Sequence, residues 1–318
     1  MIENSATPPL RPGLVRILLQ GCVVILAGAA WGLFYAFAKI ATTAGVDPMG
    51  LALWEGLAAG LLLYGVCRIG RRRFPLDGRH LRFYAISGLL GLTIPAVAFF
   101  AVAHHLPVGL TTLLFALVPI MTYGMALACG GERLAWSRVA GILAGLAGVL
   151  LILLPETSLP DPAMAPWVLL GFAATSLYSA QIVYLARRTP AGTDSLATAC
   201  GTLLVGGVLL VPAIAVSGGL FLPSWPPDAA TWCALGIAGL SALATLMMFW
   251  LIEHAGSVYA SQVAYSTMFG GVLWGLVLFD ERLSLWVWAA VVLMCAGVAL
   301  VGRDRGAASK TPDSSKLK

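Results

Sequence analysis

Gly131-Glu132-Arg133-Leu134 and Asp280-Glu281-Arg282-Leu283 are two copies of one short phrase. Their glutamates stand 149 residues apart, close to half of the 318-residue chain. The same offset carries His105 onto His254, and Ala147-Gly148-Val149-Leu150 onto Ala296-Gly297-Val298-Ala299. Three agreements at one offset point to a duplicated unit.

The composition says where such a unit lives. Hydrophobic residues make up 59% of the chain and charged ones only 10%, against about 25% charged in a soluble domain. The mean hydropathy is +0.91. The net charge of +5 forms no aromatic-interleaved patch, which argues against nucleic acid as a partner. All six cysteines fall in or beside apolar runs without metal-type spacing, so they read as small packing residues.

A bilayer core about 30 Å thick takes roughly 20 helical residues to cross. Ten apolar runs meet that length or approach it, near 15–41, 49–69, 83–104, 107–129, 139–155, 166–186, 195–217, 230–252, 257–279 and 285–302. Apolar character continues through Trp31 and Phe37, past the short core of a cleavable signal, so the first run reads as a retained helix. With the N-terminus inside, 17 of the 19 basic residues collect on the cytoplasmic side, and only Lys39 and Arg282 fall near the outer one. Both termini are therefore expected in the cytoplasm. The expected divisions are a tail at 1–16, a first repeat at 17–155, a second at 156–302 and a tail at 303–318.

Five helices per repeat is an odd number, so the second repeat must enter the membrane from the opposite side. Inverted repeats can open a midplane site to either face, which is what alternating access requires. The chain therefore reads as an all-α membrane protein of ten transmembrane helices in two inverted five-helix repeats. An enzyme would need paired loop carboxylates for a metal, or a nucleophile with its base. Neither pattern is present, nor is a Walker A loop. No enzyme, cofactor or metal is expected.

Several residues also match a known family. Trp31-Gly32, Tyr35 and Lys39 resemble the opening helix of the drug/metabolite transporter superfamily, in its EamA-domain branch. Leu117-Val118-Pro119, Glu132-Arg133-Leu134 and the glycines from Gly141 to Gly148 look like the end of one such domain. The second copy runs from His254 to about Val301. The resemblance implies secondary transport of small organic molecules, often efflux of amino acids or other metabolites, through a cavity shared by both halves. The chain departs from it at Trp54-Glu55, where many members carry an arginine, and at Met268, the counterpart of Pro119.

Glu55 is the acidic residue well inside an expected span, about 10 Å deep at 1.5 Å per residue. A carboxyl there is costly and points to function. It reads either as a proton-coupling or substrate-amine site, with Lys39 as the other coupling candidate, or as half of a structural pair with Lys39, or as a protonated acid beside a snorkelling lysine. Candidate cavity faces are Trp31 with Tyr35, Tyr178 with Gln181, and Gln262 with Tyr265 and Ser266. Each could equally be a helix–helix hydrogen-bonding face. Pro95 and Pro119 lie mid-span and should kink their helices.

The function expected is secondary efflux of an amino acid or related metabolite across the inner membrane, with proton coupling as one means of driving it. Uptake of a similar solute, or a non-transporting scaffold or sensor, are the alternatives. The lipid bilayer is an expected partner; the sequence does not set the oligomeric state.

Overall fold

The computed structural model describes residues 12–130, 134–154, 158–255 and 263–308. Within them the chain is helical throughout. Helix α1 spans Pro12–Thr43, α2 Pro48–Ile69, α3 Gly78–His105, α4 Val108–Ala128 and α5 Trp136–Leu153. Helix α6 spans Ala165–Arg188, α7 Ser195–Ser217, α8 Ala229–Ala255, α9 Val263–Phe279 and α10 Leu285–Ala308. Among the described residues seven helices are long and apolar enough to cross a membrane, and three further apolar stretches are shorter.

Helix starts carry the repeat at the level of single atoms. Asp47 caps α2 by accepting from the Met49 amide at 2.8 Å, with Pro48 as the first helical residue. Asp194 caps α7 in the same way, accepting from Leu196 N at 2.8 Å. Each carboxylate satisfies amides that have no partner inside the helix.

The packing partners obey the same exchange. Helix α1 packs on α9 and α8, and its counterpart α6 packs on α4 and α3. Helix α2 meets α8 as α7 meets α3. The pairs α2–α7, α4–α9 and α5–α10 each join a helix to its own counterpart. These contacts return when the halves are swapped, which fits a two-repeat architecture around a pseudo-two-fold axis. The duplication expected from the sequence is thus visible in the helix packing.

Helix interfaces are made by small residues, because lipid offers no hydrophobic drive for helices to associate. At the α1–α9 crossing a Cβ on Gly32 would sit 2.5 Å from the Gly270 carbonyl carbon and 2.6 Å from the Gly271 amide. Backbone cannot yield as a side-chain tip can. Gly32→Ala should therefore cost about 1–3 kcal/mol by forcing α1 and α9 apart. Thermal unfolding in detergent reads this, with Gly65→Ala as control, since nothing lies within 4 Å of a Cβ there.

Leucines such as Leu18, Leu26, Leu61, Leu143 and Leu273 are more than half exposed, giving the bundle the apolar girdle that a bilayer covers. The main core runs along α1, α3 and α4 and includes Phe34, Phe100, Leu113 and Leu117.

Regular α-helix is interrupted just before both mid-span prolines. Pro95 follows a π-helical turn at Leu89–Thr93. Pro119 follows a turn at Ala116-Leu117 that splits α4 into Val108–Phe115 and Val118–Ala128. A third break, unanticipated in the sequence reading, splits α7 before Val211-Pro212. Leu210-Val211-Pro212 repeats the wording of Leu117-Val118-Pro119, and that repetition was the available signal.

Candidate functional site

Glu55 opens a second π-helical turn, Glu55–Ala59, in the middle of α2. A π-turn adds a residue to the helical register and re-aims the side chains around it, and such turns recur at functional sites. Here the carboxyl ends up buried, 5% exposed, between the two repeats. Ser241 of α8 donates its hydroxyl to Glu55 Oε1 at 3.1 Å, and Oε2 has no hydrogen-bond partner among the described residues. A buried carboxyl with one hydrogen bond and no cation needs a proton or a positively charged ligand to be tolerated.

The surroundings are aromatic. Tyr35, 4% exposed, has its ring 5.2 Å from Phe115 and 6.0 Å from Phe99. Phe99 and Phe115 stack at 4.3 Å, and Tyr178 meets Phe115 edge-on at 5.7 Å. Both tyrosines lie within electrostatic reach of Glu55. The structure thus gathers three separately chosen residues, Tyr35, Glu55 and Tyr178, into one region. Trp31 lies a turn away from Tyr35 on α1, edge-on to Phe34 at 5.3 Å, half-buried.

Other sequence candidates are held elsewhere. Gln181 donates from Nε2 to Ser87 Oγ at 3.2 Å and packs against Gly91, which ties α6 to α3. Ser266 faces Gly28 at the α1–α9 crossing, so its position is one of helix contact. Tyr265 is half-buried against the main core. Gln262 lies outside the described residues, as do Glu132 and Arg133 of the first repeated phrase.

The structural pair expected between Lys39 and Glu55 is corrected by the geometry. Lys39 Nζ forms its ion pair with Glu281 at 2.8 Å and also donates to Leu106 O at 3.1 Å. The ammonium is held at the end of α1 by these two acceptors, and Glu55 is left without it. The Glu281 carboxylate, from the turn before α10, reaches across to the other repeat.

Two site residues escaped the sequence reading. Ser241 is one. The other is Thr202, which is Glu55's counterpart: each stands eight residues beyond its capping aspartate, Asp47 or Asp194. Thr202 Oγ1 and Ser87 Oγ lie 3.0 Å apart, so α7 meets α3 through a hydroxyl pair where α2 meets α8 through Glu55 and Ser241. Counting from the caps would have found that equivalence. Hydrogen bonds between membrane helices average about 0.6 kcal/mol, so Ser241→Ala should change transport only about threefold. An initial-rate assay against the parent checks this.

A family model described as the EamA-like transporter family matches residues 19–154 and again 165–303. The chain belongs to the EamA-like transporter family. It is a multi-pass membrane transporter, in keeping with the family and the apolar helices. The inner membrane transporter YedA of Escherichia coli strain K12 is 28% identical over 285 residues, 85% of this chain and 86% of that protein. A probable terminal-alkyne amino-acid exporter of Streptantibioticus cattleyicolor is 27% identical over 201 residues, 59% of this chain and 65% of its own. A crystal structure of a protein at 22% identity shares the fold, with a TM-score of 0.57 over 91% of this chain and 99% of the other.

Proposed function

We propose that this EamA transporter exports a small amine-bearing metabolite, of the amino-acid class, by alternating access, with Glu55 carrying the coupling proton. The observation that carries the reading is the uncompensated Glu55 carboxyl, buried where α2 of one repeat meets α8 of the other. A carboxylate there holds either a proton or an ammonium group, and the aromatic faces of Tyr35, Phe115 and Tyr178 favour a cation beside it. When the amine binds, the proton leaves; when the amine departs, a proton returns. One group with two mutually exclusive occupants is the simplest device for exchanging solute against protons.

The two repeats, 17–155 and 156–302, would rock about the α2–α7 and α4–α9 contacts to expose Glu55 to each face in turn. The lysine and arginine distribution supports both termini in the cytoplasm, which makes the Lys39 end of α1 the outer end. The exporter from Streptantibioticus cattleyicolor supports efflux of an amino-acid solute as the first reading.

Metabolite profiling of cells with and without the protein supplies candidate solutes, and flux into and out of proteoliposomes then assigns direction. Export predicts that an inward proton gradient drives solute out. Solute accumulation inside under the same gradient would assign an uptake permease, and no flux under any gradient would assign a scaffold or sensor.

A further inference from the structure

The second repeated phrase has a use that the transport site does not exhaust. Asp280 adopts a left-handed backbone, φ 52°, at the turn between α9 and α10. That turn sends the Glu281 side chain inward, and Gly275 leaves it room: a Cβ there would lie 2.3 Å from Glu281 Oε2. The carboxylate accepts from Lys39 Nζ at 2.8 Å, from Val108 N at 2.8 Å and from Gly109 N at 3.3 Å. Lys39 adds Leu106 O and sits 5.0 Å above the Phe279 ring. One side chain of the second repeat thereby fastens the end of α1 and the start of α4, both in the first.

We propose that the Lys39–Glu281 pair is a latch between the two repeats, closed in this conformation, which opens once in each transport cycle to expose that face. The inference rests on the alternating-access reading above. Two observations support a moving part over a fixed brace. The side chains keep 18% and 10% exposure, so water can take over both charges as they part. A cavity of about 220 Å³ lies beside the turn, between Gly109, Val272, Leu276 and Glu281–Leu283, and gives it space to move. The opposite end of the bundle has ties of its own between the repeats: Arg72 Nη1 pairs with Asp194 Oδ2 at 2.9 Å, and Arg187 donates from Nη2 to Cys129 O at 2.8 Å.

Thiol labelling of the solubilised full-length protein tests the latch without a substrate, so its failure is distinct from failure of the solute assignment. The reporter is Leu110→Cys, the residue directly after Gly109 and 1% exposed, with the six native cysteines replaced by alanine. Glu281→Gln and Lys39→Met should each speed maleimide labelling of this cysteine about tenfold, the effect of shifting a two-state equilibrium by one decade. Lys39→Arg, which keeps the charge, should label as slowly as the parent. A control protein keeps buried Cys200 near the opposite end as its one thiol, and its labelling should not accelerate. Unchanged Leu110→Cys labelling in both charge-neutralised variants would overturn the latch. So would equal acceleration at Cys200, which marks general loosening.

Discussion

Glu55→Gln should leave a folded protein that no longer couples solute movement to protons. The substitution keeps the shape and the Ser241 contact and removes the site's carboxyl. An amide cannot trade a proton for an amine, so solute flux should lose its pH dependence across the physiological range. The amine also loses its counter-charge. A charge-assisted hydrogen bond is worth about 1.5–3 kcal/mol, which corresponds to an affinity loss of about ten- to hundredfold. Uptake and release of the solute in proteoliposomes at several pH values provide the readout. A pH profile identical to the parent's would remove Glu55 as the coupling group. Glu55→Asp is the informative companion, because it keeps the charge but withdraws it about one methylene from Ser241.

The largest stability effect is expected at Glu281→Ala. The change leaves Lys39 facing Leu106 O alone and strips the Val108 and Gly109 amides of their acceptor. Breaking one side of a buried ion pair costs about 3–5 kcal/mol, and the 18% exposure of Lys39 places this case near about 3 kcal/mol. Lys39→Met should cost less, because Glu281 retains both amide donors. Thermal unfolding in detergent should therefore rank the parent above Lys39→Met, and Lys39→Met above Glu281→Ala. The reverse order would mean that the carboxylate serves the lysine only, with no contribution from the start of α4.

Much of the architecture was legible because it repeats. A phrase copied at 149 residues, the apolar runs and the basic bias are each one-dimensional signals, and the exchange symmetry of the packing follows from the duplication. The site was half legible. Glu55 stands out because a carboxyl inside an apolar run is expensive wherever it points. Its partners could not be read the same way. Lys39 and Glu55 are close in sequence, and both lie near the same end of their helices, which made them plausible partners. The pairing is decided by the α9–α10 turn, 242 residues away from Lys39. Gln181 illustrates the converse: a glutamine on an aromatic helix face looks like a cavity residue until Ser87 and Gly91 are seen to occupy it. The π-turn at Glu55 has no local composition signature at all, since Glu55-Gly56-Leu57-Ala58-Ala59 would serve an ordinary helix.

One feature of the repeat bears directly on mechanism. Helices α2 and α7 are capped alike, yet eight residues on one carries a carboxyl and the other a hydroxyl. The molecule is symmetric in its scaffold and asymmetric in its charge. Under the proposed coupling, the lone carboxyl of this pair of positions carries one proton per cycle.

The most direct measurement is solute movement under an imposed pH gradient in proteoliposomes of known orientation, with a pH-sensitive dye trapped inside. The account predicts that solute is driven against its own gradient, with about one proton moving the opposite way per solute, and that both movements vanish together in Glu55→Gln. Solute flux that proceeds with no accompanying proton movement, and that survives in Glu55→Gln, would contradict it.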